Sequence, residues 1–434
     1  MVIVRCRAAG LALLASVLVA VSACSGLTTA EQADDQTLTL WHYEHDTSAM
    51  GIAWAEAIRQ FRTSHPGVTV KLEQKEFEQL RQNAVMALNA DGAPDILEYN
   101  KGNATAGLLS KQGLLTDLTG EAKRRGWDAM LTPAMQTTVR YDANGFMGDG
   151  AWYGVPNYAE YVMVYYNKDM FAKHGVGVPT TFDDFQTVLD TFVRAGVTPL
   201  SVSGAEYPAQ QIFYQLALAR ADRSFVDAYQ LYRGKVDFAG PELTFGANTF
   251  AEWVRKGYIA RDAASVKAED MNAAFKAGRF PMVVVGSWLY GEFIHDIKDF
   301  AWGTFLFPGN KLFPGSAGNM WVVPAKARHK KLAYDFIDIT MRPEIQNLLG
   351  NSGGVPVAGD PSKVTDPRNQ ELIKNFMTIA AEDGLAFYPD WPAPGFYDVL
   401  GVAIQDLISG SKTPEQVLAD IAKPYNENRA SIGR

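Results

Sequence analysis

Between Leu38 and Tyr99 the apolar residues switch repeatedly between a period of two and a period near 3.6, and this alternation constrains the fold most. "LTLWHY" (38–43) reads as a strand; Trp54, Ile58 and Phe61 then recur at helical spacing until "SHPG" (64–67) stops the helix. "VTVKLEQ" (68–74) is a second strand with Val68, Val70 and Leu72 on one face. A helical pattern from Phe77 to Leu88 follows, and "DGAPDILEY" gives a turn and a third short strand. A βαβαβ start predicts an α/β fold with a mainly parallel sheet covered by helices. At 434 residues the chain exceeds what one core usually organises, so two lobes are expected. Farther on, "TTFDDFQTVLDTF" carries Thr181 as N-cap and Asp184 to complete a capping box, and "TPEQVLADI" opens with Thr413 as cap and Pro414 at the first helical position. No repeat and no long linker separates the lobes, so several short crossings must join them.

The N-terminus reads as a separate device. Arg5 and Arg7 precede an apolar run, Leu11 to Val21, that is far too short to span a bilayer. "VSAC" then places small residues before Cys24, as in a bacterial lipoprotein signal. Residues 1–23 would be removed, Cys24 would carry lipid, and residues 24–36 would form a small, polar tether at the extracytoplasmic face of the cell membrane. The plainer alternative is a secretory signal with a chance cysteine. The only other cysteine, Cys6, lies in the discarded segment, so a disulfide framework is excluded. A net charge of −8 without a basic run argues against a nucleic-acid partner.

Catalytic signatures are absent: there is no G-x-S-x-G elbow, no phosphate loop, no H-E-x-x-H, and nothing that asks for a cofactor. His42 and His45, with Glu44 and Asp46, form the one cluster with metal-ligand character. It lacks a cysteine or a second cluster, and is read as a polar loop rather than a metal site. The aromatic residues are more informative. Trp41, Tyr43, Tyr99, Trp152, Tyr158, Tyr161, Tyr207, Trp288, Trp321, Trp391 and Tyr397 nearly all fall at strand ends or in loops, whereas core aromatics should sit mid-element. Sugar rings pack their C–H faces on aromatic faces while their hydroxyls need carboxylate and amide partners, so this set points to a sugar cleft.

Five blocks in order then carry a family likeness: "AIRQFRTSHPGVTVKLE", "DGAPDILEYN", "WYGVPNYAEYVMVYYNKDMFAKHGVGVPTTFDDF", "AFKAGRFPMVVVGSW" and "SGGVPV". From about Leu38 to the C-terminus the chain resembles the extracellular solute-binding proteins of carbohydrate ABC importers, of the maltose-binding-protein type. The resemblance implies a two-lobed, type II periplasmic-binding-protein fold, with one lobe from residues 37–157 and 306–345 and another from 158–305 and 346–434. It implies ligand contacts from His42, Tyr43, Glu44 and Asp46 after the first strand, and from Tyr99, Asn100 and Lys101 after the Pro-Asp turn. Tyr158, Glu160 and Tyr161 would contribute at the crossing, with Glu206, Tyr207 and Trp288 in the second lobe. Asn319 and Trp321 in "GNMW", with Trp391 and Tyr397 near the end, complete the implied set. Val162 to Tyr166 reads as a crossing strand in which Tyr165 and Tyr166 pack. The implied function is capture of a mono- or oligosaccharide by a monomer that closes on a hinge and delivers it to ABC permease subunits. "YNKGN" departs from the charged pair of maltose binders, so a maltodextrin is not implied. Lys101 leaves a sugar phosphate or glycerophosphodiester open; a polyamine binder, or a glycoside hydrolase using Glu160 and Glu206, are the remaining alternatives.

Overall fold

The structure is a computed structural model that describes residues 36–432; the signal segment and nearly all of the tether, Cys24 included, lie outside the described residues. In chain order the first strands are β1 (Thr37–His42), β2 (Thr69–Gln74), β3 (Ile96–Tyr99), β4 (Arg140–Tyr141), β5 (Ala151–Trp152) and β6 (Val155–Pro156). They are followed by β7 (Glu160–Asn167), β8 (Leu200–Ser201), β9 (Met282–Gly286), β10 (Trp302–Phe305), β11 (Gly315–Ser316) and β12 (Met320–Val322). Two sheets organise the chain. The first runs β2-β1-β3-β12-β6 and the second β10-β7-β9-β8, with β11 also on β7 and β4 pairing only with β5. Each sheet is the centre of one α/β lobe.

The βαβαβ start is present, with β1 parallel to both β2 and β3. The sheets as wholes are mixed, however, and not mainly parallel. β12 runs antiparallel to β3 and β6, and β7 antiparallel to β9, β10 and β11. The reason is connectivity: β12 enters the first sheet from the other lobe and is not the product of a helical crossover.

Local chemistry accounts for the helices. Ser48 accepts from the Gly51 N–H at the start of helix Ala49–Ser64, whose buried face carries Met50, Trp54, Ile58 and Phe61 at the expected spacing. Thr181 with Asp184, and Thr413 with Gln416, form capping boxes. β7 is buried along all but Tyr166: strands lie on both of its edges and helices cover its faces, with Tyr161 near Phe376 and Tyr165 against Phe293, which accounts for its near-continuous apolar run. Among the described residues no helix is long and apolar enough to cross a membrane.

The crossings differ in place from those expected. The first falls between β6 and β7, at residues 157–159, close to the expected position. The return comes after Ser316, not at residue 306, because β11 still pairs with β7. Helix Pro343–Asn351 packs on helix Ala49–Ser64, so the third crossing follows Asn351 and not residue 345. Trp321 belongs to the first lobe's core, with no solvent exposure and its ring 5.2 Å from Trp54 and 5.8 Å from Phe336. Trp321→Ala should therefore cost about 3–5 kcal/mol of stability, measured by urea denaturation; a cost under about 1 kcal/mol would contradict this packing.

Candidate functional site

A cavity of about 390 Å³ opens between the lobes, at the carboxyl ends of β1 and β3 and beside the start of β7. The first lobe contributes Tyr43 and Glu44 after β1, Phe77 and Glu78 at the start of helix Phe77–Asn89, and Asn100 after β3. Tyr158 and Glu160 come from the crossing and Asn319 from the return. The second lobe adds Glu206, Tyr207 and Gln211 from the start of helix Tyr207–Leu218, Asn272, and Trp288 just past β9. Tyr388, Asp390, Trp391 and Tyr397 close the far side.

The aromatic residues form one connected wall. Tyr43 meets Phe77 at 5.5 Å, Phe77 meets Tyr207 at 6.0 Å, and Tyr207 meets Trp288 at 6.0 Å. Trp288 meets Tyr388 at 6.3 Å, and Tyr388 meets Trp391 at 5.3 Å. The Phe77–Tyr207 contact carries the wall from one lobe to the other. Two glycines make it possible. A Cβ on Gly286 would lie 1.8 Å from the Trp288 ring, so only glycine lets the indole fold back over the end of β9. Gly102, at φ +103°, lets the loop after β3 press against Trp391, 2.6 Å from where its own Cβ would stand.

Polar groups sit between these rings and behind them. Asn319 donates to the Tyr158 hydroxyl at 2.7 Å, and Ser316 donates to Glu160 at 3.4 Å. The Ala268 N–H donates to Glu206 at 2.8 Å, and Asn157 donates to Glu98 at 2.6 Å behind the cavity. Burial pushes Asp390 up to about 6 and Glu98 up to about 8, and holds Glu160 above the usual carboxylate range. Glu44 is raised well above that range by burial and by the charges of Glu98 and Glu160. Burial brings Lys101 down to about 7, against the pull of Glu160 and Glu98.

Eleven of the seventeen expected contacts line the cavity, and six do not. His42 is buried at the end of β1, and burial lowers it to about 4. Asp46 is exposed, and Tyr99 and Lys101 lie behind the wall. Tyr161 donates its hydroxyl to the Leu372 carbonyl at 3.1 Å and packs near Phe376; it follows Glu160 in β7 and so faces the other way. Trp321 is core. In the other direction, sequence reasoning missed Phe77, Glu78, Gln211, Asn272, Glu292, Tyr388 and Asp390. A signal existed for Gln211, since "AQQIFYQL" puts glutamines into a helix that is otherwise apolar.

A polar cluster bridges the lobes at the cavity mouth. Arg81 contacts Glu78 and Asp398 at 3.0 Å each, and its guanidinium lies 3.9 Å above the Tyr397 ring. The Tyr397 hydroxyl in turn donates to Glu78. Helix Phe77–Asn89 is thereby tied to helix Phe396–Ser409, which packs on helices Tyr207–Leu218 and Pro414–Ser431.

Two α/β lobes meeting over a polar and aromatic cavity define a two-lobed solute receptor. The family profile of bacterial extracellular solute-binding proteins matches residues 56–362, and the chain belongs to that family. It is 25% identical over 362 residues to the multiple sugar-binding protein of Streptococcus mutans, covering 80% of this chain and 81% of that one. A chitin oligosaccharide binding protein superposes with a TM-score of 0.76 at 24% identity, covering 92% of this chain and all of the other. A structure described under xylan utilization by Caldanaerobius polysaccharolyticus also gives a TM-score of 0.76, at 22% identity over 89% of this chain and 98% of that one. Both structural likenesses are likenesses of fold.

Two predictions follow from the geometry. Arg81→Ala removes a bridge worth about 1–2 kcal/mol, as for a partly desolvated cation over a ring. Spin labels at the exposed Val85 and Val402 should then report a longer interhelix distance in the ligand-free protein; an unchanged distribution would count against the bridge. The second concerns Glu98, which keeps a proton in the folded state that the unfolded chain releases, so its contribution to stability falls as pH rises from 4.5 to about 8. Glu98→Gln keeps an acceptor for Asn157 and has no proton to lose. Denaturation midpoints at pH 5 and pH 8 should differ less in the variant than in the parent, and an equal difference would refute the assignment.

Proposed function

We propose that this protein captures a carbohydrate in the interlobe cavity and hands it to the permease of an ABC importer. The observation that carries the reading is the wall of six aromatic rings running from Tyr43 to Trp391, with carboxyl and amide groups set between the faces. Aromatic faces take the C–H surfaces of sugar rings, and the polar groups take their hydroxyls. The sugar-binding relative in Streptococcus mutans supports the same class of ligand. Tyr43, Glu44, Asn100, Tyr158, Glu160, Glu206, Tyr207, Trp288, Asn319, Trp391 and Tyr397 are the proposed contacts among those expected from sequence.

Contacts from both lobes to one ligand favour the closed arrangement, and the closed form is what a permease recognises. No bond in the ligand needs to change, so the role is that of a receptor and not an enzyme. Lipid on Cys24 would hold the monomer at the outer face of the membrane through the tether, within reach of the permease.

A thermal-shift screen with neutral mono- and oligosaccharides, sugar phosphates and polyamines tests the reading, because a ligand of the folded state raises its melting temperature with concentration. Stabilisation by at least one sugar is expected. Trp288→Ala should weaken that sugar's binding at least about tenfold, ~1.4 kcal/mol, by titration calorimetry. Stabilisation by polyamines alone would overturn the carbohydrate reading, and shortened oligosaccharides in the mixture would overturn the receptor reading.

A further inference from the structure

The wall of the cavity has an imbalance that a neutral sugar does not answer. Among the described residues eight carboxyl side chains line it, against two lysines. Several are already accounted for. Glu78 is held by Arg81 at 3.0 Å and Glu292 by Lys276 at 2.5 Å, and Glu206 accepts from the Ala268 N–H. Glu76, Glu269 and Lys267 are exposed at the rim. Lys75 turns away, 2.5 Å from Glu73 and over the Trp41 ring. Three buried or half-buried carboxyls remain on the inner wall: Glu44, Glu160 and Asp390. Serine hydroxyls reach the first two at 3.4 Å each, the Tyr388 and Tyr158 hydroxyls also act on Glu160, and among the described residues none of the three has a basic side chain within ion-pair distance.

An independent observation points the same way. Gln211 and Asn272 line the cavity at 4% and 9% exposure, and the side-chain oxygen of each has no hydrogen-bond partner. The amide oxygens of Gln210 and Gln215, on the helix that carries Gln211, are also without a partner, so what sets Gln211 and Asn272 apart is that they line the cavity. Gln210 donates to the Tyr397 carbonyl and Gln215 to the Leu312 carbonyl, both at 3.1 Å. Free buried acceptors of this kind are costly unless something fills the space and donates to them.

We propose that the carbohydrate bound here carries a basic amino group, with its ammonium among Glu160, Asp390 and the Tyr388 ring and its remaining donors directed to Gln211 and Asn272. The inference rests on the carbohydrate reading and narrows it. An ammonium group supplies three donors and no acceptor, which matches the carboxyls and amide oxygens of the wall, while the unpartnered Tyr43 and Tyr388 hydroxyls and the Trp391 indole N–H are left for acceptors elsewhere on the sugar. The ammonium adds a positive partner within reach of Glu160 and Asp390, on which Lys101 and Arg81 act only from beyond ion-pair distance, and is attracted to the faces of Tyr388 and Trp391. A hydroxyl at the same place supplies one donor and brings further acceptors of its own.

The test uses the full chain and matched sugars that differ in one substituent. The pairs are glucose with glucosamine, galactose with galactosamine, and mannose with mannosamine, extended by cello-oligosaccharides with chitosan oligosaccharides of equal length. Calorimetry should find at least one amine-bearing sugar that binds about tenfold or more tightly than its hydroxyl counterpart, and N-acetylation of that amine should abolish the gain. Asp390→Asn should reduce the same ratio toward one. If every amine-bearing sugar binds no better than its partner while a neutral sugar binds, the inference is overturned and the carbohydrate reading stands. Binding by spermidine with no sugar bound, or by nothing in the series, overturns both.

Discussion

Lys101 places its ammonium group where no solvent reaches it, with Glu98 and Glu160 as the carboxyls that act on it. Burial drives Lys101 toward its neutral form and Glu98 toward its protonated one. Its members come from different parts of the chain. Glu98 belongs to β3, Lys101 to the loop after it, Glu160 to the first position of β7, and Asn157 to the crossing between the sheets. Removing the hydrogen bond from Asn157 to Glu98 would leave the connection between the lobes without a buried polar tie.

Because of that arrangement the crossing and the site are the same few residues. Asn157 turns inward to Glu98, while Tyr158 and Glu160 reach the cavity, following the alternation of an extended chain. The Ala159 N–H donates to the Val355 carbonyl at 2.7 Å and ties the crossing to the later passage of the chain. A change in the angle between lobes would therefore move cavity-lining side chains. The Arg81 bridge acts at the cavity mouth, so the two lobes are held at the crossing by buried hydrogen bonds and at the mouth by a partly exposed cation.

Much of the fold was legible in the chain because it rests on local chemistry. Capping residues, glycine stops and apolar periodicity each act within a few residues, and they placed the helices, the βαβαβ start and the crossing strand β7. The sites of return between lobes were not legible. Ser316 and Met320 lie only a few residues apart in the stretch "SAGNM" yet pair with different sheets, and so short a stretch carries no periodicity to mark the change. The aromatic set was identified as unusual, but its division was not. Trp288 and Trp321 look alike in sequence; one lies over Gly286 at the cavity and the other between Trp54 and Phe336 in the core.

By itself, then, the sequence determined the element types, the two-lobed class and the stretches from which a site could be drawn, since these depend on spacing and on residue type. Tertiary structure decided which side chains meet. Tyr388, Asp390, Gln211 and Asn272 become a site only when helices and loops far apart in the chain converge. The free amide oxygens of Gln211 and Asn272 are visible only once the hydrogen bonds around them have been traced. Hydrogen bonds and buried charge are satisfied in three dimensions, and a linear pattern carries no record of which partners remain unclaimed.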